Sequence, residues 1–254
     1  MKKVIKFFRL LIGVIFIIPV IVVFGIVAFL VGIILRALRL KKLGDIVPTA
    51  ILQPVVWWVM LLLGTKVKII GKENLPPRGS SYCVIPNHNS ALDIPAVFYT
   101  NRWPGSIAKK EAFKIPVINA LMWLIHCVKI DRANPRDAIK AIGKGVENVK
   151  NGHPMMIFPE GTRSKTGEIG EFKAGSFKIA TRSKCKVVPV VIKNTRQALE
   201  DAHYFGIVPV YVQILPSIDT ATLTDEEIKA LPQRVEDEIK KAYALLPSFP
   251  KKKK

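Results

Sequence analysis

The longest uncharged stretch in this 254-residue chain sets the first constraint. From Leu10 to Leu35 the sequence runs LLIGVIFIIPVIVVFGIVAFLVGIIL, 26 residues without an ionisable side chain. As a helix rising about 1.5 Å per residue it reaches about 39 Å, enough to cross a hydrocarbon core of ~30 Å with tilt. Lys2, Lys3, Lys6 and Arg9 precede it like the basic leader of a signal peptide. The run is longer than a typical h-region, however, and Arg36, Arg39, Lys41 and Lys42 stand where a cleavage site belongs. A retained membrane helix is the expectation. Basic residues balance on its two sides, so charge gives no orientation. A re-entrant or interfacial hairpin bent near Pro19 or Gly25, with both ends on the cytoplasmic face, accommodates that balance.

A second apolar stretch, Val47 to Gly64, contains Pro48, Pro54 and the pair Trp57-Trp58. The segment after Pro54 is short for a span, and paired Trp suits the headgroup level, where an apolar ring and an N–H donor are both satisfied. The spacing predicts a helix lying on or dipping into the membrane; a core helix of a soluble domain is the competing reading. Residues 1–64 are thus expected to form membrane-anchoring helices, residues 65–250 a separate α/β domain, and Lys251–Lys254 a basic tail.

Half of the residues are hydrophobic and the net charge is +20, with cationic excess well beyond the anchor. The apolar content excludes intrinsic disorder, and no internal period supports a repeat protein. Cys83, Cys127 and Cys185 have no paired spacing, which argues against a disulfide framework and for a reducing compartment. After residue 64, the runs VKII, YCVI, GSIA, CVKI, PMMIF, VVPVVI and VPVYVQIL read as strands. Helical patterns fall near Leu92–Thr100, Val117–Ile125, Pro135–Lys150, Ala174–Thr181 and Asp225–Ala244, the last with Thr224 as N-cap. This alternation predicts a mixed, largely parallel sheet flanked by helices and preceded by the N-terminal membrane-associated helices.

Two segments at strand ends could do chemistry. In Ile85-Pro-Asn-His-Asn-Ser-Ala-Leu-Asp93, a strand–turn–helix corner lets the Asp93 carboxylate fold back onto one nitrogen of His88. That contact fixes the tautomer and stabilises imidazolium when the other nitrogen takes a proton. Alone, the pattern points more to a structural turn histidine. In Phe158-Pro-Glu-Gly-Thr-Arg-Ser164, Gly161 allows close backbone approach, Thr162 offers a hydroxyl and Arg163 a planar fork for phosphate. An ordinary polar loop explains that segment equally well in isolation. Neither segment supplies a Gly-rich nucleotide loop, a nucleophile elbow or a zinc-ligand cluster. His126, His153 and His203 lack patterned partners and read as structural, so neither metal nor cofactor is expected.

In this order and spacing the segments resemble the glycerolipid acyltransferase family, of the bacterial 1-acyl-glycerol-3-phosphate acyltransferase type. The N-H-x-x-x-x-D motif matches Asn87, His88 and Asp93, and F-P-E-G-T-R-S matches Phe158 to Ser164, with Phe172-Lys-Ala-Gly175 behind it. Ala108 to Pro116 with Ile130-Asp131-Arg132, and Val188-Pro189-Val190, match the remaining two motifs. Ala112 departs from the bulkier apolar residue common there.

The resemblance implies transfer of a fatty acyl group from acyl-CoA or acyl carrier protein to the sn-2 hydroxyl of lysophosphatidic acid. His88 would be the general base and Asp93 its holder. Lys109, or a backbone N–H near Gly161, would meet the oxyanion. Arg163, with Thr162, Gly161, Arg132 and Lys173, would bind the acceptor's phosphate, while Asn87 and Glu160 support the loops. The implied location is the cytoplasmic face of the cell membrane, with the basic surface meeting anionic lipid. Rival readings are a relative acting on another lysophospholipid or glycerol-3-phosphate, a lipid-binding scaffold, and a membrane-tethered nucleic-acid binder. The last needs a basic stripe with stacking aromatics, whereas the aromatics here cluster in the apolar segments, so no nucleic-acid partner is expected.

Overall fold

A computed structural model describes Phe8, Leu11 and residues 13–131, 133–201 and 206–249. After a π-helical turn at Gly13–Ile17, helix α1 (Ile18–Ala37) runs unbroken into a tight turn, and α2 (Lys41–Leu62) returns against it. The expected bend near Pro19 or Gly25 is therefore corrected: the hairpin turns at Leu38–Leu40, where Arg39 takes a φ of 61°. Pro19 sits in the first turn of α1, where a missing N–H breaks no helical bond. Gly25 and Gly32 serve close approach instead. A Cβ on Gly25 would lie 3.0 Å from Val117, and one on Gly32 would lie 2.5 Å from Leu124. Likewise α2 is longer than expected, passing through both Pro48 and Pro54. The Pro48 ring packs on Gly32 of α1, where an added Cβ would lie 3.1 Å from its Cγ.

The α/β domain is an eight-stranded mixed sheet. In chain order its elements are β1 (Thr65–Ile70), β2 (Tyr82–Pro86), α3 (Asp93–Phe98), β3 (Gly105–Lys109), α4 (Pro116–Leu124), β4 (Val128–Ile130) and α5 (Pro135–Lys150). There follow β5 (Met155–Met156), α6 (Lys178–Ser183), β6 (Lys186–Lys193), α7 (Thr195–Ala198), β7 (Val208–Ile214), β8 (Ile218–Asp219) and α8 (Asp225–Leu245). Strand order is β1-β7-β6-β2-β5-β3-β4, with β8 on β6. Pairs are parallel except β6–β7 and β6–β8, as the alternation of strands and helices predicted. The expected strand at 154–158 shrinks to Met155–Met156, because the chain leaves the sheet early to build the site loop. Strand β8 has no sequence signal beyond two residues and went unexpected.

Two buried layers sandwich the sheet. One face packs Val187, Val191, Cys83 and Met155 against Ile179, Leu231, Val235 and Ile239 of α6 and α8. The other packs Val84, Val188, Val190 and Val212 against Met60, Ala96 and Val97 of α2 and α3. Helix α8 starts with a capping box between Thr224 and Glu227. All three cysteines are free thiols. Helix α1 lies along α4, where Phe29 meets Trp123 edge-on at 5.7 Å. Its other side leaves Val23, Phe24, Val27, Leu30 and Ile34 exposed.

Candidate active site

Parallel strands β2, β5 and β3 end on one edge of the sheet, so the loops that follow them converge there. Asn87, directly after β2, is fully buried and extends the ladder with side-chain atoms. Its Nδ2 donates to the Ile192 carbonyl (2.9 Å) and its Oδ1 accepts the Ile192 N–H (2.8 Å). The backbone is thereby locked one residue before His88 leaves the sheet.

His88 Nδ1 lies 2.8 Å from Asp93 Oδ2. Asp93, at the start of α3, has no exposed surface, and its carboxylate is held from three more directions. The N–H groups of Asn89 (2.6 Å) and Ser90 (2.8 Å) donate to Oδ2, and the Thr195 hydroxyl donates to Oδ1 (2.6 Å). Those donors fix the carboxylate's position and, through it, the imidazole. The ring stacks on Phe158 at 3.8 Å. Its second nitrogen, Nε2, has no protein partner among the described residues, which leaves it for a substrate proton.

The Phe158–Ser164 loop is fastened to the His88 turn by its own side chains and backbone. Glu160 accepts the His88 N–H at 2.6 Å through Oε1 and the Gly170 N–H at 3.0 Å through Oε2. Burial pushes its carboxyl above the ordinary range, against those two hydrogen bonds. Ser164 N–H donates to the His88 carbonyl (2.8 Å), so Arg163 stands next to the histidine. Arg196 Nη1 grips the Ser164 carbonyl from the far side at 3.0 Å.

Arg163 is 56% exposed and reaches Glu200 at 3.6 Å. Glu160, expected to support the loop, fastens it to the His88 turn, and Glu200 faces the arginine. Glu200 also accepts from the Ser90 hydroxyl (2.6 Å) and the Ala91 N–H (2.9 Å). An ion pair this exposed is worth at most about 1 kcal/mol, so the guanidinium can exchange it for a phosphate. Gly161 takes a φ of 76°, a left-handed conformation that favours glycine, and its N–H is spent on the Phe158 carbonyl (3.1 Å). The Thr162 and Arg163 amides have no acceptor among the described residues. Lys173 Nζ lies 3.4 Å from where a Cβ on Gly161 would sit. Thr162 and Lys173 are both exposed.

Lys109 ends β3 on the same edge, exposed and without a partner among the described residues. Strand β5 lies between β3 and β2, so two strand spacings, about 9–10 Å, separate it laterally from the His88 strand. Its neighbour Lys110 is bound to Asp131. Arg132, His203 and Lys251–Lys254 lie outside the described residues. Thr195 and Glu200 escaped sequence reasoning because they sit 102 and 110 residues from Asp93 and Ser90 in the chain, and Arg196 because it sits 32 residues from Ser164. The available signal was that strand 187–192 must end on the same edge as the His88 turn.

Comparison with known proteins agrees with this geometry. The family model described as Acyltransferase matches residues 66–193. A 1-acyl-sn-glycerol-3-phosphate acyltransferase of Saccharomyces cerevisiae is 37% identical over 70% of this chain and 60% of its own length. One from Borreliella burgdorferi is 31% identical, covering 71% of this chain and 72% of that protein. The crystal structure of the LPA acyltransferase PlsC from Thermotoga maritima superposes with a TM-score of 0.84 at 26% identity, over 99% of this chain and 100% of that one. The motifs, their meeting at one sheet edge and these likenesses agree, and the chain belongs to the acyltransferase family.

Proposed function

We propose that the protein transfers a fatty acyl group from an acyl thioester to the sn-2 hydroxyl of lysophosphatidic acid, making phosphatidic acid. The observation that supports this most is the His88–Asp93 pair, fixed at 2.8 Å beside the Arg163 loop, with Nε2 open. His88 Nε2 takes the proton of the acceptor hydroxyl as its oxygen attacks the thioester carbonyl. The tetrahedral intermediate collapses by breaking the carbon–sulfur bond, and His88 returns the proton to the departing thiolate. Phosphatidic acid and the free thiol of coenzyme A or acyl carrier protein leave. No enzyme nucleophile, metal or cofactor takes part. Negative charge on the intermediate is met by Lys109 or by the open amides of Thr162 and Arg163. Arg163 clamps the acceptor's phosphate with Thr162 and Lys173 beside it, and the family resemblance assigns Arg132 the same task.

In this reading residues 1–64 are the membrane anchor, 65–250 the acyltransferase domain and 251–254 a basic tail. Helices α1 and α2 are each long and apolar enough to cross a membrane, by length and composition alone. Their packing supports insertion into one leaflet instead. The charged turn touches the catalytic domain, where Arg36 donates to the Leu124 carbonyl at 3.0 Å, so both ends of the hairpin border the same watery side. Leaving a lysophospholipid's chain in the bilayer saves about 0.8 kcal/mol per CH₂ that extraction into water would cost. The cytoplasmic face is the side that offers the thioester donors and anionic lipid.

The test is a purified protein in vesicles, assayed with acyl-CoA and acyl carrier protein donors against lysophosphatidic acid, other lysophospholipids and glycerol-3-phosphate. Phosphatidic acid formation that disappears in His88→Ala is expected. Transfer to another acceptor in preference, or equal transfer by folded His88→Ala, refutes the assignment.

A further inference from the structure

At the opposite edge of the sheet, three turns far apart in sequence bring Asp45, His126 and His153 together. Asp45 lies in the first turns of α2, His126 between α4 and β4, and His153 between α5 and β5. We propose that these three side chains bind a divalent transition-metal ion, which fastens the N-terminal hairpin to the acyltransferase domain.

The donor set is two imidazoles and one carboxylate, a combination suited to zinc and its neighbours. His126 Nε2 lies 3.1 Å from Asp45 Oδ1, and His153 Nδ1 lies 3.7 Å from Asp45 Oδ2. The three ligand atoms fall within 4.8 Å of one another. A tetrahedral ion with bonds of about 2.0–2.1 Å spaces its ligand atoms about 3.3–3.4 Å apart, a few tenths of an ångström closer than His153 Nδ1 and Asp45 Oδ2 stand. The second distance is longer than a hydrogen bond. The two rings stack at 3.6 Å, and both turn a nitrogen towards the same carboxylate.

The surroundings hold these groups in place. His126 takes a φ of 59°, a left-handed conformation in which a non-glycine residue is uncommon. Gly105 lets the turn close in, since a Cβ there would lie 2.4 Å from the Ile125 carbonyl oxygen. Asn148 ties both histidines, donating from Nδ2 to the His126 carbonyl (2.8 Å) and accepting the His153 N–H at its own carbonyl (3.0 Å). Arg36 binds Asp45 Oδ1 at 2.7 Å, orienting the carboxylate and leaving Oδ2 towards His153, as outer partners of metal ligands do. Beside the cluster opens a cavity of about 390 Å³ that Arg36, Asp45 and His126 line, with room for a water as fourth ligand. Arg36 Nη1 is buried without an acceptor among the described residues, a donor that an oxygen bound to the ion would satisfy.

The experiment is equilibrium dialysis of the full, untagged chain in detergent against buffered Zn²⁺, with metal counted per chain. One zinc ion per chain is expected, with a rise in melting temperature on loading. His126→Ala and His153→Ala should each weaken binding at least about 100-fold and remove the melting shift, while His88→Ala keeps both. Asp45→Asn and His153→Gln, which keep polar groups in place, cover the case in which an alanine variant fails to fold. A Co²⁺ titration of the wild type then gives an independent reading, a tetrahedral spectrum without thiolate charge transfer. No stoichiometric zinc in the wild type overturns the proposal, as does zinc retained in the folded His126 and His153 variants, or zinc lost only in His88→Ala.

Discussion

Thr195→Val tests whether the Asp93 carboxylate is positioned as the structure describes. Valine keeps the branched shape at Cβ and deletes only the hydroxyl that donates to Asp93 Oδ1 at 2.6 Å. Both residues are fully buried, so no water replaces the lost donor. A hydrogen bond to a charged group is worth about 1.5–3 kcal/mol, which is the expected loss of stability. For a domain of this size that lowers the melting temperature by about 3–12 °C. Thr195 touches no substrate, so its effect on rate passes through Asp93 and His88. If half of that energy steadies the imidazolium during transfer, kcat falls about 3- to 13-fold, with the apparent KM of both substrates unchanged. Thr195→Ser should recover most of the rate, and Thr195→Val placed on His88→Ala should cost no further activity. The assay is initial phosphatidic acid synthesis in vesicles beside thermal melting. A kcat within twofold of wild type refutes the positioning argument; if melting falls alone, Thr195 is structural.

Four further outcomes follow from the same geometry. His88→Ala should lose about 10²–10⁴-fold or more in turnover while melting and vesicle attachment stay near wild type. Arg163→Ala should chiefly raise the apparent KM for lysophosphatidic acid, and Arg163→Lys should recover little because it loses the fork; equal weakening of both substrates with lower melting would assign the arginine to structure. Gly161→Ala forces a side chain into φ 76° beside Lys173 and should cost about 1–2 kcal/mol in melting, with Gly161→Asn milder, whereas equal melting of both would show the loop relaxes. Vesicle binding should be tighter on anionic than on zwitterionic lipid and weaken with salt, as charges beyond ~8 Å are screened; indifference to lipid charge would assign the basic surface another task.

What the sequence revealed depended on whether the signal was local. His88 and Asp93 are five residues apart across one corner, so their contact follows from strand–turn–helix geometry. The Thr224 N-cap is equally local, and the structure forms it within a capping box with Glu227. The hairpin was misplaced because Pro19 and Gly25 look like breakers when the partner helix is unknown. The structure shows proline in a first turn and glycine opposite Val117, where packing on α4 overrides propensity. Thr195 and Glu200 could be paired with the His88 turn only once β6 was placed beside β2. His126 and His153 read as structural for the same reason: their meeting with Asp45 depends on three turns whose closeness no spacing encodes.

The acids of the site also explain how its loops keep negative charge away from the open nitrogen of His88. Asp93 is buried completely and spends its carboxylate on four donors; Glu160 is 8% exposed and spends its own on two amides. Glu200 faces inward to Ser90 and Ala91 and outward only to Arg163. Each negative charge near His88 is therefore consumed in holding a turn. Lys109, Arg163, Lys165 and Lys173 face solvent on these loops, and the exposed acids there, Glu168 and Glu171, lie beyond the Phe158–Ser164 motif. An acceptor bearing a phosphate and a donor carried on an anionic coenzyme or an acidic protein both approach along a favourable field. Had the loops been tied by exposed carboxylates, the same turns would form, but the phosphate would meet repulsion within a few ångströms of the base. Burying the acids thus joins two requirements, a rigid general base and a positive entrance, in the same residues.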